Sequence, residues 1–244
     1  MSVKITAQGG VATAEEHDFL INHYKLDTVG WGTPFLLVPE ATTVDSDTRK
    51  KLQKAKEKDL YLSNISPLGV PFNTLRNSSK EIERFKKIEE GKPGSPCPRK
   101  FLALSNEYGT QGVCTASRLF QKNKIEELGI SDQITEKTCL CMGLAATAVI
   151  NYEVETRESK GVSICPGPNM AYFSKELSLS EMVNHIYNDA KEVVRVDRPN
   201  MFVNELRMYL KYLSEKIEGH KDHWDRASEK KLNAFADNMN KGIN

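Results

Sequence analysis

The feature that most constrains the fold lies near the N-terminus, where two apolar runs, Val3 to Ala7 and Thr28 to Val38, each meet a glycine-rich turn. Val3, Ile5 and Ala7 alternate with polar residues, which predicts a half-buried strand, and the chain then turns at Gly9-Gly10. The second run breaks at Gly30 and Gly32, beside Thr33. Between them, residues 12–26 read as an amphipathic helix. Ala12, Phe19, Leu20 and Tyr24 share a face, with Thr13 as N-cap and Glu16 three residues on as its capping-box partner. The pattern is strand-turn-helix-strand-turn. Glycine lacks a Cβ, so backbone N–H groups in both turns can approach a ligand closely, as a phosphate site requires. A single glycine pair more often serves only to turn the chain. Two of them one β/α unit apart match the spacing of the phosphate site after the seventh and eighth strands of a (β/α)8 barrel.

These residues also carry a resemblance. Ala7 to Val11, Thr13 with Glu15-Glu16, Leu26 to Leu36 (including Gly32-Thr33-Pro34-Phe35) and Pro39-Glu40 resemble the last two β/α units of the nitronate monooxygenase (2-nitropropane dioxygenase-like) flavoenzymes. Ala55 to Asp59, Ser63, Gly69-Val70-Pro71 and Leu75 to Asn77 are similar to the stretch that follows the final barrel helix in that family. The resemblance covers roughly residues 3–78 and implies an FMN site with Gly9, Gly10, Gly32 and Thr33 in its phosphate cradle. The family carries its catalytic His and nitronate pocket on earlier units, so no catalytic residue is assigned. His17 and His23 read as surface or packing residues.

A full barrel needs about 250 residues, and only two of its units are represented. The fold expected is therefore α/β: a partial (β/α)8-type barrel end over 1–91, then a mainly helical, cysteine-containing module over 92–244. The boundary falls at 92–98, where three prolines exclude a helix. A half-built barrel leaves strand edges open. The chain thus reads as the C-terminal part or a subunit of an FMN-dependent oxidoreductase, completed by a separate chain or a second copy.

Thirty-four basic and 33 acidic residues give a formal charge of +1, which offers no electrostatic case for nucleic acid or an anionic membrane. No apolar run approaches the roughly 20 residues of a membrane helix, and no signal-peptide core is present. The expected location is the cytoplasm.

Further along, helices are expected after Asp45 or Ser46 through about Asp59, at 80–90, from Cys114 to Leu128, and after Ser178 or Ser180. Asn64 to Asn77 reads as an ordered loop, Phe101 to Leu104 as a short strand, and Met142 to Ile150 as a buried helix or strand. Phe202, Leu206, Leu210, Leu213 and Ile217 recur at helical spacing after Pro199 and mark a core or subunit contact. The polar stretch from Lys221 to Asn244 reads as a peripheral helix.

Five cysteines without a secretion signal argue for reduced thiols rather than a disulfide framework. Cys97, Cys114, Cys139 and Cys141 sit in turn-like or helix-opening contexts where thiolates could bind zinc or an iron–sulfur cluster, although C-x-C is not the common zinc spacing. Small buried residues are the bland alternative. Cys165 reads as structural. A lone nucleophilic thiol would be best placed at Cys114, with His185 available as partner. The second functional reading is thus a non-catalytic module that uses a metal or its helices for assembly. A third is a barrel relic whose open edges pair with another chain.

Overall fold

The computed structural model describes residues 3–102, 104–154, 161–188, 193–220 and 225–243. Strand β1 (Thr6–Gln8), helix α1 (Ala14–Asn22) and strand β2 (Thr28–Gly30) form a right-sized crossover unit: the two strands pair in parallel, with Thr6 opposite Thr28, Ala7 opposite Val29 and Gln8 opposite Gly30. Thr13 is extended and its Oγ1 accepts Glu16 N–H at 3.1 Å, while the Glu16 carboxylate reaches back to Ala12 N–H at 2.9 Å. Two donors at the helix start are thereby satisfied. Asp27 returns the chain to β1: its N–H donates to Ile5 O at 2.9 Å and its carboxylate accepts Ile5 N–H at 2.7 Å.

The expected barrel end does not form. Each of these strands is three residues long. Among the described residues the only other sheet is an antiparallel pair, β3 (Leu60–Ser63) with β4 (Phe72–Leu75). Among the described residues the fold is mainly helical, with two small two-stranded sheets and no closed or partial barrel. The physical reason lies at Gly32-Thr33-Pro34. Proline has no N–H to give a ladder and a fixed φ that suits the first turn of a helix, so Thr33–Leu37 winds as a 3-10 helix rather than extending β2 to Val38. Phe35 to Val38 then pack as a helical turn whose Leu37 and Val38 are buried.

Helix α2 (Ser46–Lys54) starts at Asp45, whose Oδ1 accepts Thr48 N–H at 3.0 Å, and it stops well before Asp59. Part of the stretch expected as loop, Phe72–Leu75, is strand β4, tied to β3 by Ser63 Oγ and Thr74 Oγ1 at 2.7 Å. Helix α3 (Ser79–Glu89) is capped by Ser78 and ends before Gly91, which has φ 67°. Helices α4 (Arg118–Leu128, capped by Ser117), α5 (Asp132–Thr135), α6 (Leu140–Asn151) and α7 (Leu179–Asn188) follow. Phe101 and Leu102 form a turn and Leu104 is not in a strand; residue 103 lies outside the described residues.

The chain divides into two compact units, 1–195 and 196–244. The proline-rich stretch at 92–98 lies inside the first, where Ser95 bridges to Ser117. One core runs through that unit, from Ala12, Leu37 and Leu52 to Ala146, Met170, Phe173 and Met182. Each fully buried Leu, Met or Phe contributes about 1.5–3 kcal/mol. The second unit is a helical hairpin of α8 (Met201–Gly219) and α9 (Arg226–Ile243), closed by Tyr209 and Tyr212 against Phe235. Of the expected C-terminal helix at 221–244, residues 221–224 and 244 lie outside the described residues. Among the described residues no helix is long and apolar enough to cross a membrane.

Candidate functional site

The register of β1 and β2 sets Gln8 beside Gly30, so the two turns that follow leave the same end of the parallel pair. The turns that carry Gly9-Gly10 and Gly32-Thr33 therefore start from adjacent strand ends. Gly9 and Gly10 have φ 97° and 73°, the left-handed region that favours glycine. A Cβ on Gly9, Gly10 or Gly32 would meet no atom within 4 Å. The glycines thus leave open space in front of the backbone, room that an anionic group could fill.

Residues more than a hundred positions away brace this end. Asn169 Nδ2 donates to Val11 O at 3.2 Å, and His185 Nε2 lies 2.7 Å from Ala12 O. Ala12 O can only accept, so His185 carries its proton on Nε2. His185 is fully buried, and Trp31 packs edge-on against it with ring centroids 5.9 Å apart. Trp31 Nε1 donates in turn to His17 Nδ1 at 3.0 Å. His17 is thus a partner of the residue that precedes Gly32 rather than a bare surface group. His23 stacks on Phe19. Thr33 packs onto Gly167, where an added Cβ would stand 2.5 Å from Thr33 Oγ1. The Thr33 side chain is thus held against that loop, and its main-chain N–H is the group to offer a ligand. Glu16 places a carboxylate at the start of α1. That charge already occupies the helix start, so α1 offers no anion site of its own.

A second convergence lies elsewhere in the first unit. Cys97, Cys114, Cys139 and Cys141 line one small, partly open cavity together with Pro67, Met142 and the segment 98–102. Cys114 and Cys139 are buried, and Cys97 and Cys141 half-buried. Burial pushes the Cys114 thiol up to about 11, helped by the negative charge that Cys97, Cys139 and Cys141 would carry and opposed by the Ala116 N–H at its sulfur. Cys97 and Cys141 are also raised, chiefly by burial, with Lys100 N–H opposing the rise at Cys97. Without a metal these are neutral thiols at pH 7, which makes them poor nucleophiles. Cys114 precedes the α4 cap, Ser117, by three positions, and His185 is engaged with Ala12 and Trp31, so nothing here activates Cys114. Cys165 is exposed and stands outside the cavity. Among the described residues, no three His, Cys, Asp or Glu side chains are drawn together tightly enough to hold a single ion as they stand.

The sequence shows both sets of candidate residues but not the braces. Nothing in the local pattern around Asn169 or His185 signals contact with residues 11–12, because that contact depends on chain segments far apart in sequence. No family model matches the chain, and no curated protein matches it either.

Proposed function

We propose that the turns at Gly9-Gly10 and Gly32-Thr33 hold the phosphate of FMN, and that the chain is the phosphate-binding part of a nitronate monooxygenase-like oxidoreductase of the cytoplasm. The observation that carries this reading is the pairing of Gln8 with Gly30, from which two glycine turns set out at the same end of the parallel strands. The open space before Gly9, Gly10 and Gly32 suits a phosphate, because without a Cβ an oxygen can come close to the main-chain amides. When bound, the flavin supplies the electron chemistry. The residues of this chain bind and orient it: the turn amides take the phosphate, and Asn169 and His185 hold the carbonyls of Val11 and Ala12 so that the first turn keeps its shape.

The substrate pocket and catalytic base come from another polypeptide, a separate chain or a second copy. The exposure of the β1–β2 pair supports this. Parallel strands are ordinarily covered on both faces, whereas Val3 and Ile5, which lead into β1, are 86% and 59% exposed. The test is the visible absorption spectrum of the native protein before and after incubation with excess FMN and gel filtration. Flavin bands that stay with the protein support the proposal, and a protein that remains colourless after incubation overturns it.

A further inference from the structure

The four cysteines of the second cavity come from three segments that share no local motif: Cys97 in a proline-rich turn, Cys114 ahead of α4, and Cys139 and Cys141 at the start of α6. Their convergence is held by specific contacts. Ser95 N–H donates to Ala116 O at 2.9 Å and Arg118 N–H to Ser95 O at 2.7 Å, locking the turn of Cys97 onto the segment of Cys114. The fit is close enough that a Cβ on Gly94 would lie 2.8 Å from Arg118 N. Gln121, fully buried on α4, donates through Nε2 to Lys137 O at 2.8 Å and Thr115 O at 3.4 Å, which ties the residue after Cys114 to the segment before Cys139. The cavity is therefore built from the backbone outward, by bonds that no one segment could make alone.

Cys97 and Lys100 have φ 49° and 50°, a backbone region uncommon for residues with a side chain. Cys97 N–H donates to Ser95 Oγ at 3.3 Å, which holds the turn against the segment of Cys114. Arg99 and Lys100 also line the cavity, where their charge offsets that of a four-thiolate centre.

We propose that Cys97, Cys114, Cys139 and Cys141 bind a metal centre through four thiolates, as zinc or as an iron–sulfur cluster. Each thiol gives up its proton to solvent as its sulfur bonds the metal, so binding releases protons; zinc ligation transfers no electron, and a cluster assembled from ferric iron and sulfide takes its electrons from the added thiol reductant. The sulfurs stand around the cavity wall rather than around one point, so ligation draws them inward over it.

The experiment is metal and acid-labile sulfide analysis of the full chain, purified anaerobically and then incubated with zinc, or with iron and sulfide under reducing conditions. One zinc per chain identifies the single ion, and iron with matching sulfide identifies a cluster; either supports the proposal. Cys139→Ser with Cys141→Ser should abolish stoichiometric metal, while Cys165→Ser retains it. Because the double variant could fail to fold, thiol alkylation of the wild-type chain provides an independent readout. The loaded protein should label at Cys165 alone, and a chelator should expose the other four. Substoichiometric metal under both loading conditions, or alkylation unchanged by the chelator, would overturn the proposal.

Discussion

Gly32→Ala separates the proposed ligand role of the turn from any role in folding. Gly32 has φ −127° and ψ −59°, outside the left-handed region, and a Cβ there would meet nothing within 4 Å. Substitutions without a clash or lost partner usually change stability by no more than about 0.5 kcal/mol. The same Cβ would occupy the space in front of the turn amides. A phosphate pushed back by a methyl group loses one main-chain contact, and a hydrogen bond to a charged group contributes about 1.5–3 kcal/mol. Because 1.4 kcal/mol is tenfold, FMN binding should weaken roughly 10- to 150-fold. Flavin fluorescence titration gives the affinity and urea unfolding gives the stability of the same preparation. Gly10→Ala is the contrast: φ 73° makes it costly by about 1–2 kcal/mol for the fold itself. An FMN affinity within twofold of wild type in a folded Gly32→Ala protein would refute the reasoning, as would a large loss of stability.

Three further predictions concern the frame around the sites. Gln121→Met keeps the volume but leaves the carbonyls of Lys137 and Thr115 without their donor, so urea unfolding should show a loss of about 1–3 kcal/mol; an unchanged midpoint would mean that the tie is not made. Gly94→Ala combines φ 78° with a Cβ 2.8–2.9 Å from the main chain of Ser117 and Arg118. Its melting temperature should fall further than that of Gly10→Ala, for which the space is open, and the reverse order would contradict the packing at Cys97. Tyr61 is raised to about 12, first by burial and then by its hydrogen bond to Glu81. Since the folded state favours the neutral phenol, its stabilising contribution is present below pH 10 and disappears as the pH rises toward 12. The drop in urea midpoint between pH 9 and 11 should be smaller in Tyr61→Phe than in wild type, and equal drops would count against it.

Local chemistry was readable where a side chain acts within a few residues. Thr13 caps the helix that follows it, as its position before an apolar-periodic run indicates, and Asp45, one of two residues offered for the next helix, caps that one. The missed parts depend on more distant contacts or on weak local signals. Phe35 to Val38 has the composition of a buried strand, and periodicity cannot tell a short apolar run in a strand from one in a helix. Pro34 was the local signal that could have decided it. Strand β4 was hidden among Pro67, Gly69 and Pro71, turn residues that make a loop the natural reading of the whole stretch. The end of the β1–β2 unit was legible through its glycines, but Asn169 and His185 reach it from the far end of the first unit. Likewise, each cysteine could be judged only in its own segment, and the shared cavity arises from the ties at Ser95 and Gln121.

The most direct test of the phosphate cradle compares FMN with riboflavin, which differs from it by the phosphate alone. Titrated into the native chain under identical conditions, FMN should bind roughly a hundredfold or more tightly than riboflavin, as two charge-assisted hydrogen bonds of about 1.5–3 kcal/mol each would give. Equal affinity for the two, or binding of neither, would contradict the account.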